Sequence, residues 1–421
     1  MSSWEVSVAD LLLAEAPLEW RRTSLAAVCS DGGGIQTGPF GSQLHASDYV
    51  AEGIPSVMPQ DLGENVIRDG EIARITPEDA RRLSKYQLRK GDIIYSRRGD
   101  VTRRALVRAK QEGWLCGTGC LRVRPGAAAN SLFLSYYLGH PEVRTWIVRH
   151  AVGATMPNLN TQILGGVPVV LPELDDQRRI AAVLGALDDK IAVNERIAIT
   201  YEQLLQCRYA ELGLADEPDP DTAVSITEIV VFNPKVVKPS TGEPVYVDMA
   251  ALQTSLATIP SWTRRAPKSG PKFMNGDTLL ARITPCLENG KTGYVDFMED
   301  GEVGLGSTEF IVMRSRPGVP SEISYFLARD SRFREHAIRS MVGTSGRQRV
   351  SAADAGNYQV NQPDVEALDA FGEEVSAAFA HMKSLQAENR TLAALRDTLL
   401  PQLMSGRIRV KDAEKIVEDA T

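Results

Sequence analysis

Several things are scarce in this 421-residue sequence, and each scarcity closes off a class of protein. The five cysteines, at 29, 116, 120, 207 and 286, are an odd and scattered set. Only Cys116 and Cys120 stand close together, and no second pair follows to complete a zinc site. Reduced thiols of a cytoplasmic compartment are the expectation. The five histidines form no HxxxH or HExxH pair. No run of about 20 apolar residues is present to span a bilayer. The first twenty residues carry no basic flank, and Glu15 breaks their apolar run, so no signal peptide is expected. Positive charge is short as well: 47 Lys and Arg face 54 Asp and Glu, a net charge of −7. That balance excludes a protein that coats nucleic acid by bulk charge.

Catalytic motifs are also missing. Leu287-Glu-Asn-Gly-Lys-Thr has the end of a Walker A loop, but Pro285 stands where the phosphate cradle requires its first glycine. Gly32-Gly33-Gly34 is a glycine turn rather than GxGxxG. Glu288 and Lys291 are one residue too far apart for a Glu-x-Lys nuclease pair, and Lys291 reads as plain surface. Phe232-Asn-Pro-Lys lacks the second proline and the aromatic of an amino-methyltransferase motif. The chain reads as non-catalytic, with no metal site and no cofactor of its own.

What the sequence does contain is an internal repeat. KGDIIYSR at 90–97 matches NGDTLLAR at 275–282, 185 residues on. LSYYL ending at Leu138 matches ISYFL ending at Leu327, and Val152-Gly153 matches Val342-Gly343, at offsets of 189 and 190. Pro172 matches Pro363 at 191, and Asn194 matches Asn389 at 195. A slowly drifting offset is what two copies of one unit give when loops have gained a few residues.

Each copy has two textures. A glycine- and proline-punctuated part, 1–174 and then 222–363, holds short β-branched runs: Asp92-Ile-Ile-Tyr, Leu121-Arg-Val-Arg, Val167-Pro-Val-Val-Leu and Glu309-Phe-Ile-Val-Met. These predict the strands of an α/β (α+β) domain, with a helix over 132–150 and its counterpart over 322–341. A second part, 175–213 and then 364–406, predicts one long helix, with a linker at 214–221 and a tail at 407–421. The apolar series Ile180, Leu184, Leu187, Ile191, Asn194, Ala198, Tyr201, Leu205 alternates four and three residues apart, a heptad seam. Met382, Leu385, Asn389, Leu392, Arg396, Leu399 and Leu403 repeat it. A helix of about 38 residues at 1.5 Å each is a rod of roughly 57 Å, too long to bury its stripe on one small domain. Two such helices in one chain pack most simply on each other. Asn194 and Asn389 stand at seam positions, where a buried Asn sets register; an exposed helical Asn is the other reading.

Charge is unevenly placed. Residues 175–221 hold 5 basic against 11 acidic residues and 364–421 hold 7 against 11, so the long helices carry the acidity. Arg81 to Arg124 holds thirteen basic residues against three acidic, and Arg329 to Arg349 holds six against two. One such run alone is usually a solvated face. One in each copy, dominated by arginine, points to guanine edges and phosphates. The candidate DNA-contacting residues are Gly38, Pro39, Phe40, Gly41, Ser42, Arg97, Arg98, Asn158, Asn160 and Gln162 in the first copy. In the second they are Arg282, Ser307, Thr308, Arg347, Gln348 and Arg349. For each of them the alternatives to a base contact are a phosphate contact or a plain surface residue.

Two stretches also carry a family resemblance. LPELDDQRRIAAVLGALDDKIAVNERI at 171–197 resembles the start of the central conserved region of the specificity subunit of type I restriction-modification systems, and LRDTLLPQLMSGRIRV at 395–410 resembles its C-terminal end. GPFGSQL at 38–44, KGDIIYSR, and GSTEFIV at 306–312 are similar to its target recognition domains. The resemblance implies two recognition domains, each reading half of a bipartite double-stranded DNA site. Two long antiparallel helices between them act as a ruler in a pseudo-two-fold arrangement. It further implies two modification subunits docked on those helices, which bind S-adenosylmethionine and methylate adenine. Restriction subunits, using ATP and Mg, join through them. The wide difference between the copies predicts an asymmetric target. Two other readings are a coiled-coil adaptor whose globular ends bind proteins, and a specificity subunit serving a methylation-only or other phage-defence complex.

Overall fold

A computed structural model describes residues 14–153, 156–239, 242–266, 269–344 and 346–420. The stretch read for a leader lies, up to Leu13, outside the described residues. The chain divides into two compact units, 1–189 together with 392–421, and 190–391. Both boundaries fall inside the two long helices, Leu174–Ala210 and Val365–Met404. Helices and mixed sheets make each unit α+β. Among the described residues no helix is long and apolar enough to cross a membrane.

The first unit has a sheet ordered Gly34–Thr37, Cys120–Arg124, Ile93–Ser96, Arg104–Leu106, Glu64–Asn65, antiparallel except for its last pair. The second unit has Val230–Phe232, Phe310–Ser315, Asp277–Ala281, Thr292–Tyr294 in the corresponding order. In a further sheet Ile54–Val57 runs parallel to Leu115–Cys116, as Val245–Val247 does to Gly304–Gly306. The sequence repeat is therefore a repeat of topology. Its central strands are buried on both faces, with Ile93, Ile94 and Tyr95 fully covered. That is why they read as unbroken apolar runs rather than alternating ones.

The Gly-Asp that opens each central strand has a structural task. Gly91 and Gly276 adopt φ of 92° and 88°, which a side chain would strain. The following Asp92 accepts the Arg124 fork at 2.7 Å on both oxygens and the Arg89 N–H at 2.8 Å. Asp277 does the same with Arg314, at 2.6 and 2.7 Å, and with the Met274 N–H at 2.8 Å. A buried carboxylate paired so completely stitches strand to strand and closes the turn.

Two expectations need correction. The helices expected over 132–150 and 322–341 are each broken in two. Ser131–Tyr137 ends before Pro141, which has no N–H to continue it and instead opens Pro141–His150, with His140 Nδ1 accepting the Glu142 N–H. Asp330 divides Ile323–Arg329 from Ser331–Arg339 by accepting the Phe333 N–H at 2.9 Å. The segment expected as a tail carries a further helix, Val410–Ala420.

The seam residues fold as the heptad spacing predicts. Ile180, Leu184 and Leu187 are buried in the first unit, and Asn194, Ala198 and Leu205 in the second. Within the second unit the long helices run antiparallel: Asn194 meets Asn389, Tyr201 meets His381, and Arg208 meets Glu374. Asn194 Nδ2 donates to Asn389 Oδ1 at 2.8 Å and to Glu388 Oε2 at 2.7 Å. Within the first unit Arg396 donates to Asp188 at 2.7 Å, and Asp188 also takes the Tyr136 hydroxyl. Asn194→Leu removes a donor from two acceptors in a packed seam. It is expected to cost about 1–3 kcal/mol, read as a lower denaturant midpoint. Adding Asn389→Leu should recover most of that loss; equal midpoints for single and double variants would contradict the pairing.

Candidate nucleic-acid interface

The end of the central strand is built alike in both units. Arg97 follows Ile93–Ser96, and its N–H donates to the Gly119 carbonyl at 2.8 Å while its own carbonyl accepts from the Leu159 N–H at 2.9 Å. Arg282 follows Asp277–Ala281, with the Glu309 carbonyl and the Val350 N–H in the same roles, both at 3.0 Å. The segment after the broken helix then folds back. Val152 and Asn158 exchange backbone hydrogen bonds at 2.9 and 3.1 Å, and Val342 and Arg349 do so at 2.9 Å each way. Gly153 and Gly343, at φ 114° and 133°, permit that reversal. Hence the Val-Gly pairs of the repeat place Asn158 and Arg349 beside the two strand-end arginines.

The loop at 38–42 joins this arrangement in the first unit. A Cβ on Gly38 would lie 2.1 Å from the Gly117 carbonyl oxygen, so only glycine lets the loop settle on the 117–119 turn. Gly38 N–H closes the contact onto the Cys120 carbonyl at 2.9 Å. Phe40, 52% exposed, then faces the Arg97 guanidinium at 5.8 Å, a cation–π distance. Gly41 and Ser42 are exposed, and Pro39 is buried beneath them.

About half of the basic run has partners within the fold. Arg82, Arg103, Arg104, Lys110 and Arg124 pair with Asp79, Asp100, Glu64, Asp69 and Asp92. Arg122 is spent on Gln36 and two carbonyls. By contrast Arg97, Arg98, Arg282 and Arg347 close no ion pair among the described residues. Moreover, Arg97 Nε and Arg282 Nε are buried and meet no hydrogen-bond partner among the described residues. Arg122 Nε is also unmet although its other nitrogens are bonded, so what sets Arg97 and Arg282 apart is their equivalent place at the strand ends and the lack of an ion pair among the described residues.

Several candidate side chains have other work. Asn160 Oδ1 caps Thr161–Gly165 by accepting the Ile163 N–H at 2.7 Å, and Gln162 lies exposed in that short helix. Ser307 Oγ accepts the Glu309 N–H at 3.2 Å, with Thr308 exposed beside it. Gln348 uses its backbone N–H, not its side chain, to donate to Thr284 Oγ1 at 3.1 Å. Arg349 is not unpaired: its fork holds Glu309 at 2.7–3.1 Å, and that contact keeps the Glu309 carboxyl below its ordinary range. Lys291 is no plain surface residue, since its Nζ donates to the Met249 carbonyl at 2.9 Å.

The turn at 117–119 went unmarked in the sequence, although Gly-Thr-Gly aligns with Ser307-Thr308-Glu309 in the repeat. Arg265 was missed too; its guanidinium stacks 3.6 Å from the Tyr246 ring, a contact between segments that leaves no local signal. Cys116 and Cys120 are buried, and burial pushes the Cys116 thiol up to about 12. Such thiols are poor ligands and poor nucleophiles.

Residues 51–203 match the family model described as the type I restriction modification DNA specificity domain. The chain is 26% identical over 214 residues to the type I restriction enzyme EcoAI specificity subunit of Escherichia coli, a match covering 48% of this chain and 35% of that protein. It is 28% identical over 211 residues to the EcoEI specificity subunit of the same organism, covering 47% and 34%. The match thus spans about a third of the length of each relative. The fold is similar to the crystal structure of the type I restriction-modification system S subunit from M. genitalium, with a TM-score of 0.52 and 16% identity over 92% of this chain and 98% of that one. The specificity-domain match runs through the strand-end Arg97 and the loop pairing around it, so this part of the chain is similar to a type I restriction modification DNA specificity domain, and nearly the whole chain shares its fold with a type I restriction-modification S subunit.

Proposed function

We propose that the chain is the non-catalytic DNA-reading subunit of a type I restriction-modification assembly, with each unit reading half of a bipartite double-stranded site. One observation carries this reading: the same backbone arrangement occurs twice, and each time it presents an arginine whose buried Nε has no partner among the described residues. The flanking side chains differ, Asn158 against Arg349 and Gly119 against Glu309, which suits an asymmetric target. Residues 1–174 and 222–363 are then the recognition domains.

On this reading the two antiparallel long helices, of 37 and 40 residues, set the spacing of the half-sites in a pseudo-two-fold arrangement. The Asn194–Asn389 pair fixes their register. The same helices dock two modification subunits, and restriction subunits join through those. S-adenosylmethionine, ATP and Mg belong to the partner subunits. Because the acidity sits on the helical segments, the isolated chain should bind random duplex only weakly.

Co-expression with the modification subunit tests the proposal. The expected product is a stable complex that retains cognate duplex DNA, beside an isolated chain that does not bind random duplex at nanomolar concentration in physiological salt. A chain that captures neither modification subunit nor DNA would instead fit a coiled-coil adaptor.

A further inference from the structure

The two strand-end sites share their backbone but not their chemistry. At the position of Gly119 the second unit has Glu309, and at the position of Asn158 it has Arg349. Glu309 is the only acid among the side chains at this turn, and its carboxylate lies against Arg349 with the charge of Arg282 also acting on it. An acid is a poor neighbour for a phosphate, so a carboxylate here disfavours a backbone-only contact.

Resting on the function proposed above, we propose that Glu309 is a specificity-determining residue that, with Arg349, reads a G·C base pair in the half-site of the second unit. The Arg349 fork spends Nε and one Nη2 proton on Glu309, at 2.8 and 2.7 Å, and one Nη1 proton on the Arg347 carbonyl at 3.3 Å. A guanidinium has five N–H donors, which leaves two for guanine O6 and N7. The carboxylate keeps acceptor capacity for the N4 amino group of the paired cytosine. Neither side chain is sealed off, with 41% of Arg349 and 25% of Glu309 exposed. The ion pair also fixes the arginine before DNA arrives, so less side-chain freedom is lost on binding. The first unit has no acid at the equivalent position, so the effect belongs to one half-site only.

The test is competition binding by the complex assembled with its modification subunits. The panel holds the cognate duplex and duplexes in which each base pair of the second half-site is replaced in turn. The wild-type complex should prefer G·C at one position by about tenfold or more. Glu309→Gln should reduce that preference to within about threefold while leaving the other positions and the whole first half-site unchanged. Arg349→Lys keeps the charge but loses the fork, and should relax the same position; it decides the matter if the glutamine variant does not bind at all. A uniform loss of affinity, an unchanged preference, or a change at an A·T position would overturn the assignment. A wild-type complex with no sequence preference would place the failure in the proposed function instead.

Discussion

Replacing Arg97 and Arg282 together by alanine is expected to lower the affinity of the assembled complex for its cognate site by about a thousandfold. A bidentate arginine contact to a base is worth about 1–3 kcal/mol. The two arginines lie in different units and share no partner, so their losses should add, to about 4 kcal/mol, or roughly three decades. Each single variant should lose about ten- to a hundredfold, with relaxed selectivity in its own half-site only. Folding should be little affected, because neither Nε has a partner among the described residues to leave orphaned. Arg97→Ala gives up only the Phe40 contact, worth about 0.5–1 kcal/mol. Competition binding on cognate and random duplex, with thermal unfolding as a control, separates these effects. An equal loss on random DNA would make both residues phosphate contacts.

Lengthening the helices is expected to change the target without changing what either end reads. Seven residues inserted between Asn194 and Tyr201, with seven more between Met382 and Asn389, keep the heptad phase of both seams. The insertion adds about 10 Å of helix. At about 3.4 Å per base pair that lengthens the spacer by up to about three base pairs. Both recognition sequences should stay as they were, since no residue of either strand-end site is touched. The site preference of the variant complex, selected from random duplexes, gives the answer. An unchanged spacer would mean that the helices do not set the distance.

Much of this was legible in the amino-acid order because the repeat doubles every signal. KGDIIYSR and NGDTLLAR place Arg97 and Arg282 at the ends of equivalent strands, and the two seams locate the long helices to within about three residues. Segmental charge was less informative. Counting thirteen basic residues between Arg81 and Arg124 says nothing about Asp92, Asp79, Asp69 or Glu64, which occupy many of them. Long-range pairs escape a reading based on spacing: Glu309 and Arg349 are 40 residues apart, and neither carries a local signature of the other. Asn160 was readable as a cap, since it stands just before a short apolar helix, but amide chemistry favoured a base contact. The break at Pro141 was hidden by apolar residues that continue on both sides of it.

The most direct measurement is methylation-sensitive sequencing of the host genome with and without the gene for this chain. The expected result is one methylated motif made of two unlike half-sites separated by an unspecified spacer, present with the gene and lost without it. Identical methylation in both genomes, or dependence on a single uninterrupted or palindromic motif, would contradict two units reading two halves of one site.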